Sequence, residues 1–188
     1  MRASMPDAVE TLTLAFTDDP LMAWLFEEDD KRPAQLRIWW RWIIDNRAAH
    51  VEVHDTADSR SAAIWHGPDP VEGTTGASFP DMLAGLIGVD AMQRKLQGMS
   101  VIPAAHPTER HWYLAAVGTR PEFQGTGSGP RVLHPVLERC DTAGLPAYLE
   151  SSNERNVPFY ERLGFVVRGR IQVPGGPALT PMWREPRA

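Results

Sequence analysis

A turn with three alternating glycines separates a short apolar run from an amphipathic run, and this arrangement limits the fold more than any other segment. The turn reads Gln124-Gly125-Thr126-Gly127-Ser128-Gly129. Residues 112–117 before it form an apolar run that predicts a strand. Apolar residues at helical spacing after it predict a helix that ends near Gly144. A strand that turns through glycines into a helix indicates an α/β protein with a candidate phosphate site at the helix N-terminus.

The residues of the turn indicate which phosphate ligand it suits. Glycines allow a tight turn and let a ligand approach the amides, and the first N–H groups of the following helix have no internal partner. A Walker P-loop needs Gly-Lys-Ser/Thr at the end of the turn, where this chain has Ser128-Gly129-Pro130. A dinucleotide fingerprint needs a third glycine where Val132 stands. The pyrophosphate of coenzyme A fits the Gln-x-x-Gly-x-Gly spacing, and a glycine turn without a ligand is the alternative.

The rest of the chain predicts further helices and strands around this centre. Helices are expected from Asp7 to a break at Asp18-Asp19-Pro20, after Pro33, within residues 79–98, and up to Leu163-Gly164. Strands are expected at residues 51–53 and 62–65, joined as a hairpin, and at residues 146–151, 165–173 and 179–183. Trp39, Trp40 and Trp42 cannot all share one face of a helix, so at least one is expected to face a pocket, a partner or solvent, and the alternative for each is a place in the core.

Composition excludes several classes of protein. The chain has 188 residues, a formal net charge of −5 and no basic run, so nucleic acid is not an expected partner. Its one cysteine, Cys140, cannot form an internal disulfide. No apolar stretch is long enough to span a bilayer, so no membrane partner and a cytoplasmic location are expected. The spacings of His66, His106 and His111 match no zinc pattern, so no metal site is expected and these histidines are predicted to be scattered over loops or the surface.

Two motifs in order carry a resemblance to a known family. Val117-Gly118-Thr119 leads into the glycine turn, and Phe159-Tyr160-Glu161-Arg162-Leu163-Gly164-Phe165 follows the turn by about 30 residues. This pairing resembles the GNAT superfamily of N-acetyltransferases over residues 112–183. Within that superfamily, residues 146–151 and 155–165 are most similar to puromycin N-acetyltransferase.

The resemblance implies a single GNAT acetyltransferase domain over residues 1–188 of the α/β (α+β) class, with a mixed, twisted central sheet that has splayed strands and is flanked by helices. Residues 1–110 would form the substrate-side helices and strands, and residues 111–188 the acetyl-CoA-binding and catalytic half. The first strand of the family, which precedes the helix near Asp7, is missing or cut to a few residues. The implied cofactor is acetyl-CoA, bound by Val117, Gly118, Thr119, Gln124, Gly125, Thr126, Gly127, Ser128, Gly129, Pro130, and Asn153 or Asn156.

The resemblance also implies catalytic roles. Glu150 is expected to be the general base, directly or through a water, and its alternatives are a solvent-facing carboxylate or an anchor for a substrate cation. Tyr160 is expected to donate a proton or a hydrogen bond to the departing thiolate, and its alternative is simple packing against the cofactor. Two departures from the family are Ser128, where an aliphatic residue is usual, and Pro130, which has no N–H to offer a phosphate.

The predicted function is acetyl transfer from acetyl-CoA to a primary amine, of a small molecule such as a puromycin-like compound. Acetylation of a protein or peptide amine and a non-catalytic CoA-binding sensor domain are the alternatives. Residues 67–79 are expected to form a loop that covers the acceptor site, which favours a small molecule. The protein is expected to be a monomer or a homodimer.

Overall fold

The computed structural model describes residues 5–46, 51–69 and 78–187. Its α-helices are α1 (Met5–Phe16), α2 (Pro20–Leu25), α3 (Arg32–Asn46), α4 (Phe79–Ile87), α5 (Val89–Met99), α6 (Val101–Ala105), α7 (Ser128–Ala143) and α8 (Val157–Arg162). Its strands are β1 (Val51–Asp55), β2 (Ser61–His66), β3 (Trp112–Thr119), β4 (Ala147–Ser151), β5 (Val166–Val167), β6 (Ile171–Gln172) and β7 (Ala178–Arg184). The expected first strand of the family would lie before α1, at residues 1–4, outside the described residues.

The strands form one mixed sheet in the order β1-β2-β3-β4-β7-β5, and β6 pairs with β7. The β3 and β4 strands run parallel, and the other neighbouring strands run antiparallel. Helix α7 supplies the crossover between the two parallel strands, because parallel neighbours cannot be joined by a tight hairpin. The predicted mixed sheet flanked by helices is therefore confirmed.

Helices cover both faces of the sheet. On one face, α1 and α3 pack against Ile64 and Ala116 in a core that includes Leu12 and Trp40. On the other face, α7 and α8 pack against Trp65, Leu114 and Leu149. Both layers are apolar and buried, so the central strands lie between two hydrophobic cores.

Three predicted boundaries differ from the structure. Helix α1 begins at Met5, so Asp7 lies in its first turn and is not its N-cap. The predicted strand at residues 165–173 is two short strands, β5 and β6, because the backbone turns at Gly169, where φ is 140°. Helical structure, predicted within residues 79–98, continues beyond them, because the short helix α6 follows α5 and includes Pro103.

The expectation for the three tryptophans of α3 is wrong, because all three are buried. Trp40 lies 4.9 Å from Phe16 between ring centroids, Trp39 lies 5.8 Å from Phe26, and Trp42 lies 5.4 Å from Phe79. Helix α3 is covered by α1 on one side and by the start of α4 on another. More than one face of the helix is therefore buried, which a single apolar stripe does not reveal.

Candidate active site

The two parallel strands separate soon after they begin. β3 and β4 pair only at Trp112↔Ala147 and Tyr113↔Tyr148, although β3 continues to Thr119 and β4 to Ser151. The Trp112 amide donates to the Pro146 carbonyl at 2.9 Å, at the closed end. Beyond Tyr113, β3 and β4 no longer pair, so their edges leave an opening in the middle of the sheet.

The peptide groups that face this opening follow from the register of β3 on β2. The Arg120 amide donates to the Arg60 carbonyl at 2.9 Å, so hydrogen bonds to β2 recur at every second residue of the antiparallel pair. On this alternation, Gly118 bonds to β2, whereas Val117 and Thr119 direct their N–H and C=O groups toward the opening. A register shift between Ile64 and Trp65 on β2 determines which residues at the end of β3 face β2 and which face the opening.

The register argues against a contact between the Gly118 backbone and the pantetheine arm, which stays an untested prediction. A Cβ atom at Gly118 would lie 2.6 Å from the Ala15 Cβ atom and 3.3 Å from a Leu12 methyl. Gly118 is therefore required by the close approach of α1 to β3, and its peptide groups belong to the sheet.

The glycine turn leads directly into α7. Gly125 and Gly127 have φ angles of 76° and 81°, in the region that favours glycine. Ser128 begins the helix and is buried, and its hydroxyl lies 2.9 Å from the Thr126 hydroxyl, which donates to the Phe123 carbonyl at 2.7 Å. The polar side chain that replaces the usual aliphatic residue is therefore satisfied by hydrogen bonds. Pro130 occupies the first turn, where a missing N–H costs no helical hydrogen bond.

Three predicted segments meet beside the opening. A Cβ atom at Gly129 would lie 3.4 Å from the Phe159 ring and 3.5 Å from the Thr119 hydroxyl. The Gln124 side chain also donates to the Thr119 carbonyl at 3.4 Å. The end of β3, the start of α7 and helix α8 therefore surround one region, as the two sequence motifs require if they act together.

The two candidate asparagines differ in their surroundings. The Asn153 side chain accepts a hydrogen bond from the Arg155 amide at 3.0 Å and caps the short 3-10 helix Glu154–Asn156. Asn156 precedes α8, is exposed and makes no cap hydrogen bond with its side chain. Asn153 is thus engaged in local structure, and Asn156 is the better placed of the two to bind a ligand.

Tyr160 is buried in the layer formed by α7 and α8. Its ring packs 5.0 Å from Phe159 and 6.1 Å from Phe165, within the α7 layer. Burial raises the pKa of its phenol, and the charge of Asp19, which lies between α1 and α2, raises that pKa further. An α8 side chain can interact with a carboxylate beside α1 because β3 and β4 are parted between them.

Asp19 joins α2 to the end of β4. One carboxylate oxygen accepts from the Leu21 and Met22 amides at 2.9 and 3.1 Å, and the other accepts from the Ser152 hydroxyl. Burial raises the pKa of Asp19, while the hydrogen bond from Ser152 opposes that rise most strongly. The residues of this contact are 133 positions apart in the chain, and the sequence motifs did not reveal it.

Glu150 is enclosed and lies in contact with a histidine. Its side chain is 4% exposed, and its Oε1 lies 3.3 Å from His106 Nδ1. His106 Nε2 in turn lies 3.0 Å from His111 Nε2, and His111 Nδ1 lies 2.5 Å from the Glu109 carbonyl. The prediction that His106 and His111 are merely scattered is therefore wrong. The chain brings them together because residues 106–111 fold back over the sheet before β3 begins.

Aromatic rings surround the contacts that link Glu150, His106 and His111. The His106 ring lies 4.7 Å from the Tyr113 ring and 4.8 Å from the Tyr148 ring. Within the described residues, the Tyr148 hydroxyl is buried and has no partner in hydrogen-bond geometry. Burial raises the pKa of Tyr148, and the nearby Glu150 carboxylate raises it further. Tyr148 therefore keeps its proton beside Glu150.

A cavity of about 450 Å³ opens beside His106. Its lining includes His66, His111 and Tyr113, and the ion pair between Asp69 and Arg110. Residues 67–69 line it, and the remainder of the predicted covering loop, residues 70–77, lies outside the described residues. In the described part of the chain, no cluster of three or more His, Cys, Asp or Glu side chains could hold a metal ion.

The model of the acetyltransferase (GNAT) family matches residues 7–165. The chain is a GNAT-family acetyltransferase. The match includes both sequence motifs, the parted strands and the residues on either side of the opening. None of the helices in residues 5–46, 51–69 and 78–187 offers an apolar segment long enough to cross a bilayer.

Two curated acetyltransferases are similar to this chain over very different lengths. An uncharacterized N-acetyltransferase, C550.08, of Schizosaccharomyces pombe is 28% identical over 87% of this chain and 71% of that protein. Mycothiol acetyltransferase of Streptomyces coelicolor is 38% identical, over only 32% of this chain and 21% of that enzyme.

Solved structures extend the similarity to the whole fold. A Corynebacterium glutamicum structure described as histone acetyltransferase HPA2 and related acetyltransferase has a TM-score of 0.69 and 26% identity, over 100% of this chain and 96% of that one. PH1933 of Pyrococcus horikoshii has a TM-score of 0.60 and 12% identity, over 98% of this chain and 92% of that one, and indicates the fold alone.

Proposed function

We propose that this GNAT protein transfers the acetyl group of acetyl-CoA to a primary amine of a small molecule. The observation that carries the proposal is the opening between β3 and β4, which lies beside the glycine turn at the start of α7. One groove there combines backbone donors for a phosphate, peptide groups for an amide-bearing arm and a phenol for a leaving group.

The described residues suit coenzyme A. The first N–H groups of α7 have no intrahelical acceptor, and the helix dipole favours an anion there. The first turn of α7 contains no acidic residue and includes the exposed Arg131, the charge arrangement that favours a diphosphate rather than an empty helix end. Val117, Thr119 and the exposed Asn156 side chain are proposed to bind the pantetheine arm, which carries two amide groups.

The acceptor amine must lose a proton as it forms the new C–N bond. When bound, acetyl-CoA supplies an acetyl thioester whose carbonyl carbon accepts the amine nitrogen and whose C–S bond breaks. We propose that Glu150 accepts the amine proton, because it is a carboxylate enclosed beside the opening, where few waters compete for it. The buried Tyr148 hydroxyl beside it is proposed to donate a hydrogen bond to Glu150, to a water or to a polar group of the acceptor.

Tyr160 is proposed to donate a hydrogen bond to the departing sulfur rather than its proton. A phenol has an ordinary pKa of about 10 and a thiol of cysteine type about 8.5, so full proton transfer is uphill by about 2 kcal/mol. Burial and the Asp19 charge raise the pKa of Tyr160, which increases that cost. The same shift keeps the hydroxyl protonated and able to donate.

A small acceptor is favoured by the cavity beside His106. Its volume of about 450 Å³ suits a small ligand, and its lining combines aromatic rings with charged groups. A puromycin-like amine is one candidate of this class. The second candidate is a protein or peptide amine, favoured by the similarity to a Corynebacterium glutamicum structure described as a histone acetyltransferase HPA2 and related acetyltransferase.

Thiol release across a panel of small amines and basic peptides, with acetyl-CoA present, tests the function and separates the two acceptor classes. We expect Glu150→Gln to lower kcat by about 100-fold or more, and the Kd of acetyl-CoA to be unchanged. Tyr160→Phe should lower kcat by about 10-fold, the value of one hydrogen bond. Glu138→Gln, on the exposed face of α7, is the matched control. Binding of acetyl-CoA without acetylation of any amine or peptide would favour the sensor alternative.

A further inference from the structure

The contacts that link Glu109, His111, His106 and Glu150 determine which nitrogen of each histidine carries a proton. The Glu109 carbonyl oxygen can only accept, so His111 must donate from Nδ1 at 2.5 Å. Burial lowers the pKa of His111, which favours its neutral form. A neutral His111 with its proton on Nδ1 has only a lone pair on Nε2, so it must accept from His106 Nε2–H at 3.0 Å.

The same reasoning assigns the other nitrogen of His106. Because Nε2 carries the proton of neutral His106, Nδ1 has a lone pair that faces Glu150 Oε1 at 3.3 Å. Two acceptors meet there when Glu150 is ionised, and one added proton converts this contact into a hydrogen bond. The imidazolium so formed has an acceptor at each nitrogen, Glu150 at Nδ1 and His111 at Nε2.

We propose that His106 and Glu150 work as a dyad in which the proton removed from the amine ends on His106 Nδ1. The inference rests on the proposed role of Glu150. The amine nitrogen gives up one proton to a Glu150 oxygen as the C–N bond forms, and Glu150 Oε1 passes one proton to His106. Glu150 returns to its ionised form and His106 becomes a cation. His106 acts through Glu150 and is a positioning residue that stores the proton, and His111 fixes its tautomer.

The surroundings of His106 allow the proton to leave. Its side chain is 29% exposed and lines the cavity, so water can take the proton without crossing the acetyl-CoA groove. Tyr113 and Tyr148 face its ring from the sheet, and Asp69 and Arg110 across the cavity neutralise each other at 2.7 Å. The other titratable groups of the lining are His66, His111 and Glu109.

The pH dependence of kcat in the wild type, His106→Gln and His134→Gln tests the proposal. We expect His106→Gln to lower kcat by about 10-fold or more, to shift or remove the acidic limb of the profile, and to leave the KM of acetyl-CoA unchanged. His134→Gln is the matched control, because His134 pairs with Glu138 at 3.1 Å on the exposed surface of α7. A His106→Gln enzyme with the wild-type rate and profile would overturn the dyad, and a loss in Glu150→Gln in the same assay would leave Glu150 as the base.

A second measurement needs no turnover. Two-bond ¹H–¹⁵N spectra of the wild-type histidine rings at about pH 9 report which nitrogen carries the proton. We expect Nε2–H for His106 and Nδ1–H for His111. The opposite tautomer of His106 would contradict the proposal, even if no acceptor amine had yet been found.

Discussion

Replacement of Gly127 by alanine separates the ligand-binding role of the glycine turn from its conformational role. Gly127 has φ 81° and ψ 8°, and a Cβ atom there would meet no atom within 4 Å. Gly144, at the other end of the same helix, has φ 65° and ψ 29° and equally open surroundings. Alanine in this left-handed region costs about 1–2 kcal/mol, so each variant should lose the same stability, about 2–8 °C in Tm.

Only the Gly127 variant should lose affinity for acetyl-CoA. A methyl group on the turn keeps the pyrophosphate from the α7 amides, and one lost hydrogen bond to a charged group is worth about 1.5–3 kcal/mol. The Kd of acetyl-CoA should therefore rise by about 10- to 150-fold in Gly127→Ala and remain at the wild-type value in Gly144→Ala. Calorimetric titration with acetyl-CoA measures the Kd of each variant. Equal Kd values for the two variants would refute the assignment of the phosphate site.

Three further predictions concern the scaffold. Asp141→Asn should destabilise the protein by about 3 kcal/mol at pH 7, because Arg184 is 3% exposed and loses its charged partner at 2.7 Å. The hydrogen bond from Arg184 holds the pKa of Asp141 below its ordinary value. The pair therefore stabilises the fold above about pH 4, and this stabilisation is lost as the pH falls further. In urea unfolding, the free energies of the wild type and Asp141→Asn should differ at pH 7 and approach each other at pH 3. Gly118→Ala should lower the free energy of urea unfolding by about 1–3 kcal/mol, because the new Cβ would lie 2.6 Å from the Ala15 Cβ. An unchanged unfolding midpoint would contradict the close packing of α1 on β3. Asp19→Ala should lower the free energy of unfolding by about 1–2 kcal/mol, because α2 loses its N-cap. Asp19→Asn should retain most of that stability, since asparagine also caps helices. Equal losses in the two variants would argue against the cap.

The amino-acid sequence alone determined the features that depend on neighbouring residues. The strand before the glycine turn, the helix after it and the Phe159–Phe165 motif are recognisable because periodicity, glycines and short spacings are local properties. The mixed sheet and the acetyltransferase family followed from these motifs, and both are confirmed. The burial of all three tryptophans of α3 was not predicted, because periodicity describes one helix at a time and not the elements packed around it.

Only the tertiary structure decided which distant residues share the site. Glu150 and His106 are 44 positions apart, and Asp19 and Ser152 are 133 apart, so no local pattern links them. The reason for Gly118 is likewise a contact with another element, the close approach of α1. Hydrogen bonds and packing depend on distances in space, and in this protein the fold brings a carboxylate and two imidazoles from separate segments into one line of contacts.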